Sequence, residues 1–154
     1  MKKVYDFNQV RNEFELDEEL EVNMLKEEVK EFYDALTLAE RIDAMVDVRY
    51  VYEGTQMKYN AAFLPLPEEI NKIVGQFHRI STTIVAEEMG DDSQFMDKIL
   101  NKAWDIVCEI NAEKINKRDE NGKVMKQEGL RNATVEIAQM LEELEIGVKK
   151  DENE

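Results

Sequence analysis

Glu27-Glu28-Val29-Lys30-Glu31 reads EExxE, and Glu40, Asp43 and Asp47 follow within one short stretch. On helices, Glu28 and Glu31 stand i,i+3, Asp43 and Asp47 stand i,i+4, and Glu40 comes one turn before Asp43, so each set falls on one stripe. Carboxylates this dense repel one another, and a helix gains nothing from them unless a cation lies between. The natural filler is a hard divalent ion, Mg2+ or alternatively Mn2+, which prefers carboxylate oxygen. Such an ion keeps open positions for phosphate oxygens and water, neutralises an anionic leaving group and lowers the pKa of bound water. A further acid outside the ion's own ligands, Glu27, can accept the water's proton. The expected chemistry is Mg-dependent hydrolysis of a phosphate ester or anhydride. The competing reading is structural ion pairing between these acids and the arginines and lysines.

A second group is basic. Asn111 and Lys114 lie at the end of a helical run, and Lys123 and Lys126 follow around Asn121-Gly122. Lysines on a loop can meet phosphates opposite the metal acids, or simply solvate a turn.

The elements that must carry these residues are helical. Apolar residues recur at intervals of three and four, and period-2 alternation is missing. The pattern predicts a short helix over 6–13, and a second from about Asp17, a candidate cap, to Leu36. Leu25, Val29, Phe32 and Leu36 line its core face, with Glu28 on the flank and Glu31 further round. A third begins after Thr37 and runs beyond Tyr52. Ile42, Met45, Val46, Val48, Tyr50 and Val51 make it apolar around most of its circumference, which marks a central helix. Acids on such a helix carry a desolvation cost that calls for a partner. Pro65 and Pro67 break the pattern. A fourth helix covers 68–89 with Gly90 at its C-terminal end, and a fifth opens at 91–93 and runs to Ile115. Residues 116–129 form a polar loop, and a last helix spans about 134–144 before an acidic tail over 145–154. Helices joined by short loops imply an all-α bundle of about five to six helices in a single domain over 1–154.

Bulk properties narrow the function. The chain has 154 residues, 36% charged and 43% hydrophobic, a globular balance. A net charge of -15 disfavours nucleic acid backbones and anionic membranes as partners. Cys108, the single cysteine, allows no intramolecular disulfide and is expected as a buried thiol. No secretory segment or transmembrane run appears, so a cytoplasmic location is expected. His78 is the only histidine. It is expected in a partly buried structural role, and a single histidine excludes His-Asp phosphohydrolases and cannot supply a serine-hydrolase triad. Phosphate-binding GxxxxGK[ST] and dinucleotide GxGxxG motifs are missing.

The motifs have a family likeness. EExxE, then Asp-Val-Arg-Tyr-Val-Tyr-Glu-Gly over 47–54, then Asn111-Ala112-Glu113-Lys114 and Gly122-Lys123-Val124-Met125-Lys126, resemble in order the MazG-like all-α nucleoside triphosphate pyrophosphohydrolases. Phosphoribosyl-ATP pyrophosphohydrolases are relatives, and the dUTPase-like branch looks similar. The likeness spans about Leu20 to Gly129. The family's second motif is ExxD. Asp47 matches its Asp with Ala44 in place of Glu, while Glu40-Arg41-Ile42-Asp43 also reads as ExxD, which leaves Glu40 open as a ligand. Glu113 stands where Ser is common. The resemblance implies hydrolysis of a (deoxy)nucleoside triphosphate, dUTP or dCTP favoured, to monophosphate and pyrophosphate. It implies Mg2+ on Glu28, Glu31, Asp43 and Asp47, with Glu27 near the water. It also implies phosphate or sugar contacts from Asn111, Lys114, Lys123 and Lys126, and assembly as a homodimer or homotetramer. Two rival expectations remain: phosphoribosyl-ATP or an alarmone as substrate, and a non-catalytic acidic bundle that binds a partner or metal.

Overall fold

The computed structural model describes Val4 and residues 16–90, 92–115 and 131–151, with side chains at 114, 115 and 145–151 left aside. Five helices follow in order: α1 (Glu18–Asp34), α2 (Leu38–Ala61), α3 (Glu68–Glu88), α4 (Ser93–Ile115) and α5 (Ala133–Asp151). No strand occurs among the described residues, so the chain is all-helical there. The expected helix over 6–13 and the loop over 116–129 fall outside them.

Most of the starts carry a side-chain cap. Asp17 accepts the amide of Leu20 at 3.1 Å and caps α1. Thr37 and Glu40 form a reciprocal capping box on α2. Asp92 accepts the amide of Phe95 at 3.0 Å at the head of α4. Gly90, with φ +79°, ends α3 in the left-handed region that a side chain would strain. α2 runs beyond Tyr52, as the pattern predicts, and continues through Gly54 and Tyr59 to Ala61, because no proline interrupts it before Pro65. The C-terminal helix differs from the sequence pattern. α5 continues through Asp151, so most of the expected acidic tail is helical.

α2 packs on all four other helices, as its apolar circumference predicts. α1 also packs on α3, and α4 on α5, so two helix pairs flank the central one. Leu25, Ile42, Ile70, Ile99 and Ile137, one from each helix, are all fully buried. Each contributes about 1.5–3 kcal/mol of burial. Val29 and Phe32 join this core, and Cys108 is buried as expected.

Two expectations fail. Leu36 is 87% exposed, because α1 stops at Asp34 and the turn swings the side chain off the core face. His78 is exposed rather than partly buried, on a part of α3 that faces a groove.

Candidate metal centre

α1 and α2 are joined by residues 35–37 alone, a connection short enough to force an antiparallel pair. The last two turns of α1 therefore come level with the first turns of α2. That brings the EExxE stripe against the aspartate stripe. One carboxylate oxygen each from Glu28, Glu31 and Asp47 lie within 4.8 Å of one another. Glu31 is exposed, while Glu28 and Asp47 are half-buried.

The electrostatics of this group favour a cation. Glu28 has its pKa raised from 4.5 to about 7, first by burial, then by the charges of Glu31, Asp43 and Glu27. No basic residue occupies the last turn of α1, where the helix dipole is negative. Hard oxygen donors suit Mg2+ or Mn2+. Oxygens sharing one Mg2+ stand about 3–4.2 Å apart, given Mg–O near 2.1 Å. Three oxygens within 4.8 Å of one another reach that spacing by side-chain rotation, and the hard carboxylate donor set fits the group.

Asp43 lies one turn before Asp47 and is outside that trio. It accepts a hydrogen bond from the Thr134 hydroxyl at 2.6 Å. It remains close enough to raise the Glu28 pKa. Glu40 is engaged elsewhere: its Oε2 accepts the amides of Leu36 at 2.6 Å and Thr37 at 3.1 Å. These bonds hold its carboxyl below the usual value. Glu27 is exposed beside Glu28.

Two clefts flank the acids. One, about 280 Å³, is lined by Glu31, Asp34, Glu40, Asp43 and Thr134. The other, about 270 Å³, is walled by Asp43 and Asp47 on α2, Asn111 on α4, and Arg131, Asn132 and Thr134 where α5 begins. The structure therefore places Asn111 in one cleft with Asp43 and Asp47. The Lys114 side chain, Lys123 and Lys126 lie outside the described residues. Arg131 and Thr134 carried no motif and were not foreseen. Arg131 donates to Glu136 at 2.6 Å, Glu113 at 2.9 Å and Glu109 at 3.3 Å. These bonds, Glu136 first, raise its pKa.

A groove of about 450 Å³ opens on the opposite face of α2, lined by Met45, Arg49, Tyr52, Phe77 and His78 among others. It is larger than either acid-lined cleft and contains none of the clustered acids. The aromatic rings of Tyr52 and Phe77 border this groove. Tyr50 packs on Trp104 with ring centroids 5.8 Å apart.

Comparison of the chain with family models, curated proteins and solved structures gives no match.

Proposed function

We propose that the chain is a Mg-dependent nucleoside triphosphate pyrophosphohydrolase of MazG-like type, converting a (deoxy)nucleoside triphosphate to its monophosphate and pyrophosphate. The observation that carries this reading is the convergence of Glu28, Glu31 and Asp47 within 4.8 Å across two helices. Asn111 on the facing cleft wall supports it. So does the order of the motifs along the sequence.

In this reading Glu28, Glu31 and Asp47 hold Mg2+, with Asp43 beside them. The ion supplies Lewis-acid stabilisation of phosphate charge and a more acidic water. The chain's own groups do the rest. Glu27, exposed at the edge of the site, accepts a proton from the attacking water. Asn111 offers an amide to a phosphate or sugar oxygen, and Lys114, Lys123 and Lys126 meet the remaining phosphate charge. With a net charge of -15, the protein itself repels a polyanion, so bound metal is what makes a nucleotide welcome at this end. A homodimer or homotetramer, a cytoplasmic location and preference for dUTP or dCTP belong to the same reading through the resemblance. Among the described residues, no helix is long and apolar enough to cross a membrane.

The test is a Mg-dependent assay over all ribo- and deoxynucleoside triphosphates that resolves monophosphate, diphosphate, pyrophosphate and orthophosphate. Monophosphate plus pyrophosphate is expected, lost in EDTA and in Asp47→Asn. Silence across the panel from folded protein sinks this reading in favour of phosphoribosyl-ATP or an alarmone, and then of a binding role.

A further inference from the structure

Resting on the divalent-cation reading, we infer that Thr134 is a positioning residue, whose hydroxyl fixes Asp43 and so sets the carboxylate arrangement that receives the ion. The contact joins residues 91 apart in sequence and spans 2.6 Å from Thr134 Oγ1 to Asp43 Oδ2. An O–H donor on a carboxylate at that length is a charge-assisted bond, about twice as strong as a neutral one. Both side chains are half-buried, so water competes weakly for it. Threonine is also stiff about χ1, which fixes the direction of the hydroxyl.

The scaffold behind Thr134 is braced. Asn132 Oδ1 accepts the amide of Val135 at 3.1 Å and starts α5. Arg131 ties that start to Glu109 and Glu113 on α4 and to Glu136 on α5. The first turn of α5, with its positive dipole end, is thereby held over Asp43. Thr134 also borders both acid-lined clefts, one holding Glu31 and the other Asp47. It therefore stands at the boundary between the α1 and α2 halves of the centre.

Asp43 lines one cleft together with Glu31 and the other together with Asp47, so its placement is felt by the trio. Without the hydroxyl, the Asp43 carboxylate loses one restraint on its orientation and the partial positive charge of that donor. Partners that orient metal-site carboxylates typically matter by 10–100-fold in metal affinity. A hydroxyl that merely docks α5 on α2 would change stability alone.

Mn2+ binding to the full chain without nucleotide, read by electron paramagnetic resonance and calorimetry at fixed pH, separates these roles. Thr134→Val keeps the shape and removes the donor, and Thr134→Ser keeps the donor and removes a methyl. The expected result is about tenfold weaker Mn2+ binding in Thr134→Val, with Thr134→Ser within about twofold of the parent. Equal affinity of parent and Thr134→Val, with only a lower urea midpoint, overturns the positioning role and leaves the metal reading intact. If the parent itself binds no Mn2+, the metal reading falls and takes this role with it. Should Thr134→Val not fold, Thr134→Ala, which also removes the donor, carries the comparison, and parent-like affinity there again overturns the role.

Discussion

Glu21 and Glu28 lie seven residues apart on α1, two turns along the same helix, yet they live in opposite surroundings. Glu21 is 1% exposed and fully matched by the chain itself. Lys58 from α2 forms an ion pair with it, and Thr55 donates to its Oε2 at 2.5 Å. Glu28 is half-buried among Glu31, Asp43 and Glu27, and its pKa rises to about 7. A buried carboxylate with a lysine and a hydroxyl on it is structural, and nothing further need bind there. A carboxylate crowded by others costs stability, and the fold keeps this one beside acids that line two clefts. On the proposed reading, the contrast separates a carboxylate the fold needs from carboxylates a cation needs.

The sharpest way to break this contrast is Asp47→Asn. At the acid centre this change is expected to lower turnover by on the order of 10³-fold, since several kcal/mol of charge stabilisation are at stake. Circular dichroism should show unchanged helix content. If Asp47 serves only an ion pair, the same change lowers the urea midpoint equally with and without Mg2+, and that result rejects the metal centre. If the acids are mere repulsive decoration, stability rises and no metal effect is seen.

Lys58→Met is expected to act in the reverse sense. It strands the buried Glu21 charge and should destabilise the fold by about 3–5 kcal/mol. Mn2+ affinity should stay within about twofold, because the pair lies away from the acid trio. Chemical denaturation checks the first part and calorimetry the second. A large loss of Mn2+ affinity would dissolve the distinction between the two ends of α1.

The two sites were not equally legible in the sequence. The trio could be read because helical spacing is local: i,i+3 on α1 and i,i+4 on α2 place acids on stripes, and a three-residue turn brings the stripes together. The central role of α2 followed from its apolar circumference, and the cap at Asp17 from residue type. Glu21 was hidden because it stands beside Glu18 and Glu19 in the first turn of α1, where acids are ordinarily helix-dipole decoration. Its partners lie 34 and 37 residues away and leave no periodic signal. Thr134 and Arg131 were invisible for the same reason, since only tertiary packing brings the start of α5 over Asp43. Leu36 misled because its spacing fits the core stripe of α1, but the helix ends two residues earlier.

The pH dependence of stability offers a smaller effect that sharpens the comparison. In EDTA, Glu28 has a folded pKa of about 7 against an ordinary 4.5. Below 4.5 the carboxyl is protonated in both states and nothing is lost. Between 4.5 and 7 the unfolded chain ionises first, so stability falls as pH rises through that window, and the loss is complete above it. After solvent screening the expected fall is about 1–2 kcal/mol. Glu28→Gln should flatten it, and Mg2+ should restore stability at pH 8, because a cation takes the place of the proton. Thermal melts at pH 5 and pH 8, with and without Mg2+, give the answer. A parent whose Glu28-dependent stability rises over the same window would contradict the crowding of this carboxylate.

The smallest effect concerns Glu40, which shares a cleft with Glu31 and Asp43 but also closes the capping box of α2. Thr37→Ala removes the other half of that box and should lower stability by about 1 kcal/mol. If Glu40 acts only as a cap, Glu40→Gln keeps an oxygen for the amides of Leu36 and Thr37 and leaves Mn2+ affinity within about twofold. Thr37→Ala then also leaves affinity unchanged, because neither residue reaches the ion. A tenfold loss in Glu40→Gln with no loss in Thr37→Ala would make Glu40 a ligand. It would then extend the ligand-demanding region from the end of α1 across the turn to the start of α2.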